Sequence, residues 1–133
     1  MRIDDATVNA LLTGKSSKRD NTRVRCYHDE FTDEYVSAQV FLHGHEIAHY
    51  YLSDEGDWHI TAMDAGWRTR TTKTRLNAML DGVAKGDRLR IDGPVSNINT
   101  KEGTKLRWKY RMGASEYSWM GEHDFHAISP TTK

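Results

Sequence analysis

The chain has 133 residues, enough for one modest core, and its 19 lysines and arginines balance 19 aspartates and glutamates. With 37% hydrophobic and 10% aromatic residues it is not a disordered chain, and no apolar run nears the ~18 residues that span a bilayer. The start MRIDDATVNALL reads as having no secretory leader, and Cys26 stands alone, which excludes an internal disulfide or a cysteine-based zinc cluster and suits a reducing cytoplasm.

The zero net charge conceals segregation. Lysines and arginines against acids number 6 and 12 over residues 1–64, 12 and 4 over 65–112, and 1 and 3 over 113–133, giving −6, +8 and −2. Either acidic and basic strands neighbour each other in one sheet, or the basic middle forms a surface that meets an anion.

Asp4 or Asp5 can cap a short first helix over residues 6–12, with Gly14 ending it. KSSKRDNT then reads as an exposed loop within about 14–22, and a strand follows over 23–28. From Tyr35 the period is two: Val36, Ala38, Val40 and Leu42 alternate with Ser37, Gln39 and Phe41. His43-Gly44 predicts a two-residue turn and a return strand over 45–52, pairing Leu42 with His45, Val40 with Ile47, Ala38 with His49 and Val36 with Tyr51. Trp58, Ile60 and Ala62 supply the third strand of this meander.

Thr71 or Thr72 can cap the main helix, 72–85, whose apolar face is Leu76, Met79, Leu80, Val83 and Ala84, with Gly86 just past its end. Leu89 and Ile91 mark a further strand, and NTKEG a turn. Leu106, Trp108, Tyr110 and Met112 alternate with Lys105, Arg107, Lys109 and Arg111 as another strand. Tyr117 and Trp119 suggest a last strand, followed by a loosely held tail from about 123. The expected fold is a single α+β domain: an antiparallel β meander packed by one main amphipathic helix, with a short helix at the N-terminus.

His45-Glu46-Ile47-Ala48-His49 matches H-E-x-x-H, the zinc-peptidase pattern. That chemistry needs a helix, where residues i and i+4 lie about 6 Å apart, so that His45 and His49 share a metal and Glu46 acts as base on its water. On a strand the same spacing is about 13 Å. Gly44 before the motif, the β alternation upstream and the lack of a capping residue favour the strand. A zinc hydrolase, with Asp54, Glu55 or His59 as third ligand, stays open as an alternative, and His123-Asp124-Phe125-His126 is a second metal-like cluster in the expected tail.

The segment GWRTRTTKTRLNAML, through Gly66, Trp67, Thr69, Thr71, Thr72, Lys73, Arg75 and Asn77, resembles an element of small tailed-phage proteins in which a hairpin precedes "GW-T-TTK-R-N" and a helix. FLHGHEIA resembles the hairpin of that group. The likeness covers residues 40–80, and it implies a phage origin, a hairpin at the histidines and no particular activity.

Two basic features point to phosphate. The approach to the main helix carries Arg68, Arg70, Lys73 and Arg75 among hydroxyls that include Thr71 and Thr72, at a helix end suited to anions. The strand over 105–111 carries Lys105, Arg107, Lys109 and Arg111 on one face, which need acidic neighbours or a polyanion beside them. The aromatic residues of that strand point to its other face, which disfavours base readout. The expected function is therefore binding of nucleic-acid phosphate without strong sequence preference, in an infected host's cytoplasm and with no cofactor. The competing expectation is a binder or inhibitor of a host protein.

Overall fold

The computed structural model describes residues 2–86, 88–95 and 106–131, and nine strands and two helices are placed among them. The chain is α+β, as its patterning predicts. Helix α1, Ile3–Thr13, closes on Gly14, whose φ of 72° lets its N–H reach the Ala10 carbonyl. Its N-cap is Arg2, with no capping side chain; Asp4 and Asp5 sit inside the first turn.

Six strands form one antiparallel sheet in the order β1-β2-β3-β4-β5-β9. Their bounds are β1 Ser17–Arg19, β2 Thr22–His28, β3 Tyr35–Leu42, β4 His45–Leu52, β5 Trp58–Met63 and β9 Glu122–His126. The expected loop at 14–22 thus contains a short edge strand, since Ser17, Lys18 and Arg19 pair with Val24, Arg23 and Thr22. The expected loose tail is likewise corrected. β9 pairs with β5 over its whole length, Phe125 and Ala127 are buried, and the Tyr50 hydroxyl donates to the Ile128 carbonyl at 2.6 Å.

The β3–β4 hairpin turns at His43 and Gly44, both at positive φ (51° and 81°), the geometry that matches strand twist. Its register differs from the one expected. Leu42 pairs with His45 and Phe41 with Glu46, but a bulge then shifts the ladder, so that Val40 meets Ala48, Gln39 meets His49, Ala38 meets Tyr50 and Ser37 meets Tyr51. The extra residue is Ile47, which is buried, and every later side chain changes face.

Helix α2, Arg70–Val83, begins two residues before the expected start. Thr69, rather than Thr71 or Thr72, is the N-cap: its Oγ1 accepts the Thr72 N–H at 3.2 Å, a bond typically worth about 1 kcal/mol. Thr72, Arg75, Leu76, Met79, Leu80 and Val83 face inward. A second sheet, in the order β6-β7-β8, comprises Arg90–Asp92, Lys109–Met112 and Ser115–Ser118. It lies on the same side of the large sheet as α2, where Tyr110 meets Phe125 edge-on with centroids 5.5 Å apart. The alternation at 106–112 therefore yields a strand only from Lys109. The expected turn at NTKEG and Lys105 lie outside the described residues.

The core fills the space between the large sheet and these elements: Val24, Val40, Ala48, Tyr50, Trp58 and Ile60 from the strands meet Leu11, Leu76, Met79 and Leu80 from the helices. The opposite face of the sheet is open, and its side chains are exposed or half-buried.

Candidate functional site

The H-E-x-x-H motif lies on β4. Because of the bulge, His45 falls on the helix side, its ring 5.4 Å from that of Trp67, whereas Glu46 and His49 face the open side. The two histidines do not even share a face, as a regular strand would have allowed. Glu46 accepts a 2.8 Å hydrogen bond from Gln39, and His49 leans on Tyr51. No group of three or more His, Cys, Asp or Glu side chains among the described residues has metal-binding geometry, the His123-to-His126 cluster included. On β4 the motif does not have the helical geometry that the zinc-peptidase pattern requires.

The cations before and within α2 are engaged internally. Arg68 pairs with Asp64 at 2.9 Å and also donates to the Leu106 carbonyl. Lys73 donates to the Gly93 carbonyl at 2.8 Å, and buried Arg75 pairs with Asp4. Asn77 grips both the N–H and the carbonyl of Ile91, joining α2 to β6. Asp64 is the centre of this region. Its carboxylate accepts the Gly66 N–H at 2.7 Å, Arg68 Nε and the Trp119 indole N–H, the last at 2.9 Å. Arg70 and Thr71 alone of this group are exposed.

On β7 the cations have found acidic neighbours. Lys109 lies 3.4 Å from Glu116, and Arg111 bridges Glu116 at 2.7 Å and Asp92 at 3.5 Å. Arg107 is exposed and has no ion pair among the described residues. Among the described residues, only Asp4 and Asp64 of the acidic first half pair with cations of the basic segment, while the cations of β7 pair within the small sheet.

The open face of the large sheet carries a set of residues that the sequence reading did not assemble. Register aligns them into rows that cross the strands. One row runs Arg25, Gln39, His49, Thr61, Asp124; the next runs Tyr27, Ser37, Tyr51, His59, His126. The second therefore holds four rings over five strands, about 19 Å at ~4.8 Å per strand. Tyr51 stacks on His59 at 5.4 Å and 15°, and His59 lies 4.7 Å from His126.

At the β1–β2 end, a groove of about 520 Å³ is lined by Lys18, Asp20, Asn21, Thr22, Arg23, Arg25, Phe41, His43 and Gly44. Lys18, Arg23 and Arg25 are exposed and form no ion pair among the described residues; the Arg25 guanidinium sits 6.0 Å from the Tyr27 ring centre. His43 also borders a small recess shared with Thr71, so the start of α2 adjoins this groove.

At the other end, Asp124 gathers three donors. Tyr51 and Thr61 hydroxyls reach Oδ1 at 2.9 Å each, and His59 Nδ1 reaches Oδ2 at 2.8 Å. Partial burial pushes its pKa up, but the hydrogen bonds from Thr61, Tyr51 and His59 and the His59 charge outweigh this and hold it below the ordinary value. The alternation of Arg23, Arg25 and Tyr27 was visible in the sequence; their alignment with β9 was not.

Against known families, residues 1–107 match the model of the Kyanoviridae Gp96 protein. The chain belongs to that family. The Gp96 protein family is a phage family, so this is a phage protein. The Gp96 match takes in α1, α2 and β1 to β6, hence Lys18, Arg23, Arg25, Tyr51 and His59; Asp124 and His126 come after it. No curated protein and no solved structure matches the chain.

Proposed function

We propose that the open face of the large sheet binds single-stranded nucleic acid. The observation that carries this reading is one arrangement: Lys18, Arg23 and Arg25, without an ion pair among the described residues, flank a cross-strand row of four rings. Sheet-type binders combine such parts, with cations tracking the phosphates and rings accepting bases, and every base has a π-face, so sequence preference is slight. Phosphate contact thus remains the expected chemistry, but its main surface moves to β1 and β2. The reason is physical: Arg68, Lys73, Arg75, Lys109 and Arg111 already have partners inside the protein. Thr71 stays as a contributor through the small recess it shares with His43, and Arg70 beside it in sequence is exposed.

The test is fluorescence anisotropy of labelled RNA and DNA single strands of about ten nucleotides, mid-range for one such module. Binding that weakens steeply with salt supports the reading. No retention of either strand at low salt contradicts it, and would leave the host-protein alternative as the one to pursue.

A further inference from the structure

The Asp124 network holds more than is needed to join three strands. The Tyr51 and Thr61 hydroxyls already tie β4 and β5 to β9. The imidazole pair remains unexplained. An ionised Asp124 is acceptor-only, so in the neutral ring of His59 it selects the tautomer with the proton on Nδ1 and the lone pair on Nε2. Among the described residues no hydrogen bond engages that Nε2, nor either nitrogen of His126, whose exposed ring lies 4.7 Å from His59. Both rings stand in the row that continues from Tyr27 and Tyr51.

We propose that His59 and His126 are an acid–base pair that cleaves RNA phosphodiesters lying on this face, with Asp124 as a positioning residue. The proposal rests on the nucleic-acid reading above. In the step, neutral His59 Nε2 takes the proton of a ribose 2′-hydroxyl, and that oxygen attacks the adjacent phosphorus. The bond from phosphorus to the 5′-oxygen breaks, and protonated His126 delivers its proton to the leaving oxygen. The products are a 2′,3′-cyclic phosphate and a free 5′-hydroxyl; no water, metal or redox partner enters. The row brings the chain across both rings, while Lys18, Arg23 and Arg25 anchor it farther along the sheet.

A bell-shaped dependence on pH follows, because one imidazole must be neutral and the other charged. The titratable groups beside the pair are Tyr51 from β4 and Asp124 from β9, with His49 one row away, and Lys85, whose backbone N–H donates to the His126 carbonyl.

The experiment incubates the full chain with 5′-labelled single-stranded RNA of about ten nucleotides and with its deoxy counterpart, measuring binding and cutting separately. The expected result is that both are bound and only the RNA is cut, leaving a cyclic phosphate end. His126→Ala and His59→Ala should each slow cutting at saturating protein by roughly 100-fold or more, while the uncut deoxy strand reports separately whatever binding is lost with the ring. Asp124→Asn should slow cutting of bound RNA with affinity for the deoxy strand unchanged, and Asp124→Glu should restore part of the rate, a pattern that mere loss of stability would not produce. His126 is exposed, so its variant keeps the test valid even where His59→Ala unfolds. RNA that is bound and stays intact overturns the proposal but keeps the interface. Cutting that His126→Ala leaves unchanged belongs to a contaminant and overturns it as well. RNA neither bound nor cut removes both readings.

Discussion

Asp64, at the end of β5, receives the indole N–H of Trp119 in a buried hydrogen bond of 2.9 Å. The same carboxylate holds Arg68 and the Gly66 turn, so the two sheets and the start of α2 share one anchor. Replacing Asp64 by Asn keeps the shape but leaves Arg68, only 11% exposed, without its counter-charge. Breaking a buried pair of this kind costs about 3–5 kcal/mol. Urea unfolding should show that loss, and Trp119→Phe a smaller one of about 1–2 kcal/mol from one lost hydrogen bond, since Asp64 Oδ2 keeps Arg68 as a donor.

Strand β9 is a member of the sheet, so changes in the C-terminal segment act on the whole fold. Phe125 is 3% exposed and packs against Tyr110. Phe125→Ala should cost about 3–5 kcal/mol, in the range for a large core ring. A loosely held tail would give almost no change in the unfolding midpoint.

Much of the fold was legible, and the misses have identifiable causes. The two-residue period placed β3 and β5, and His43-Gly44 placed the turn, because a type with two positive φ angles suits a two-residue connection. The bulge at Ile47 escaped because one added apolar residue beside Ala48 looks like ordinary patterning, yet it reverses every face beyond it. β9 was missed although Phe125 and Ala127 alternate with Asp124 and His126, since five residues rich in charge and histidine resemble a tail. The cations were correctly seen as clustered. Their partners, Asp4, Asp64, Asp92 and Glu116, could not be assigned before the fold brought distant segments together.

The histidine motif makes a negative prediction of its own. Since His45 and His49 lie on opposite faces, adding equimolar zinc should not raise the thermal midpoint of the protein. A zinc-dependent rise that His49→Ala abolished would show that β4 can rearrange around a metal.

Acid should loosen the open face. The folded pKa of Asp124 lies below the ordinary 3.8, so its hydrogen bonds contribute stability above that value, and the contribution is lost as pH falls through the folded pKa. Asp29, lowered by the backbone N–H groups of Thr32 and Phe31, acts in the same direction. Unfolding midpoints measured downward from pH 5 should therefore fall less steeply in Asp124→Asn than in the parent chain. Parallel curves would mean that the carboxylate has the same affinity for protons folded and unfolded.

The salt dependence of single-stranded RNA binding tests the central claim most directly, with the parent chain compared with an Arg23→Ala, Arg25→Ala double variant. Each phosphate contact contributes about 0.7 to the slope of log affinity against log salt for single strands. Loss of two cations should thus weaken binding and flatten the slope by about 1.4. An unchanged slope in that variant, with the loss appearing instead in Arg70→Ala or Arg107→Ala, would contradict the assignment of the open sheet face.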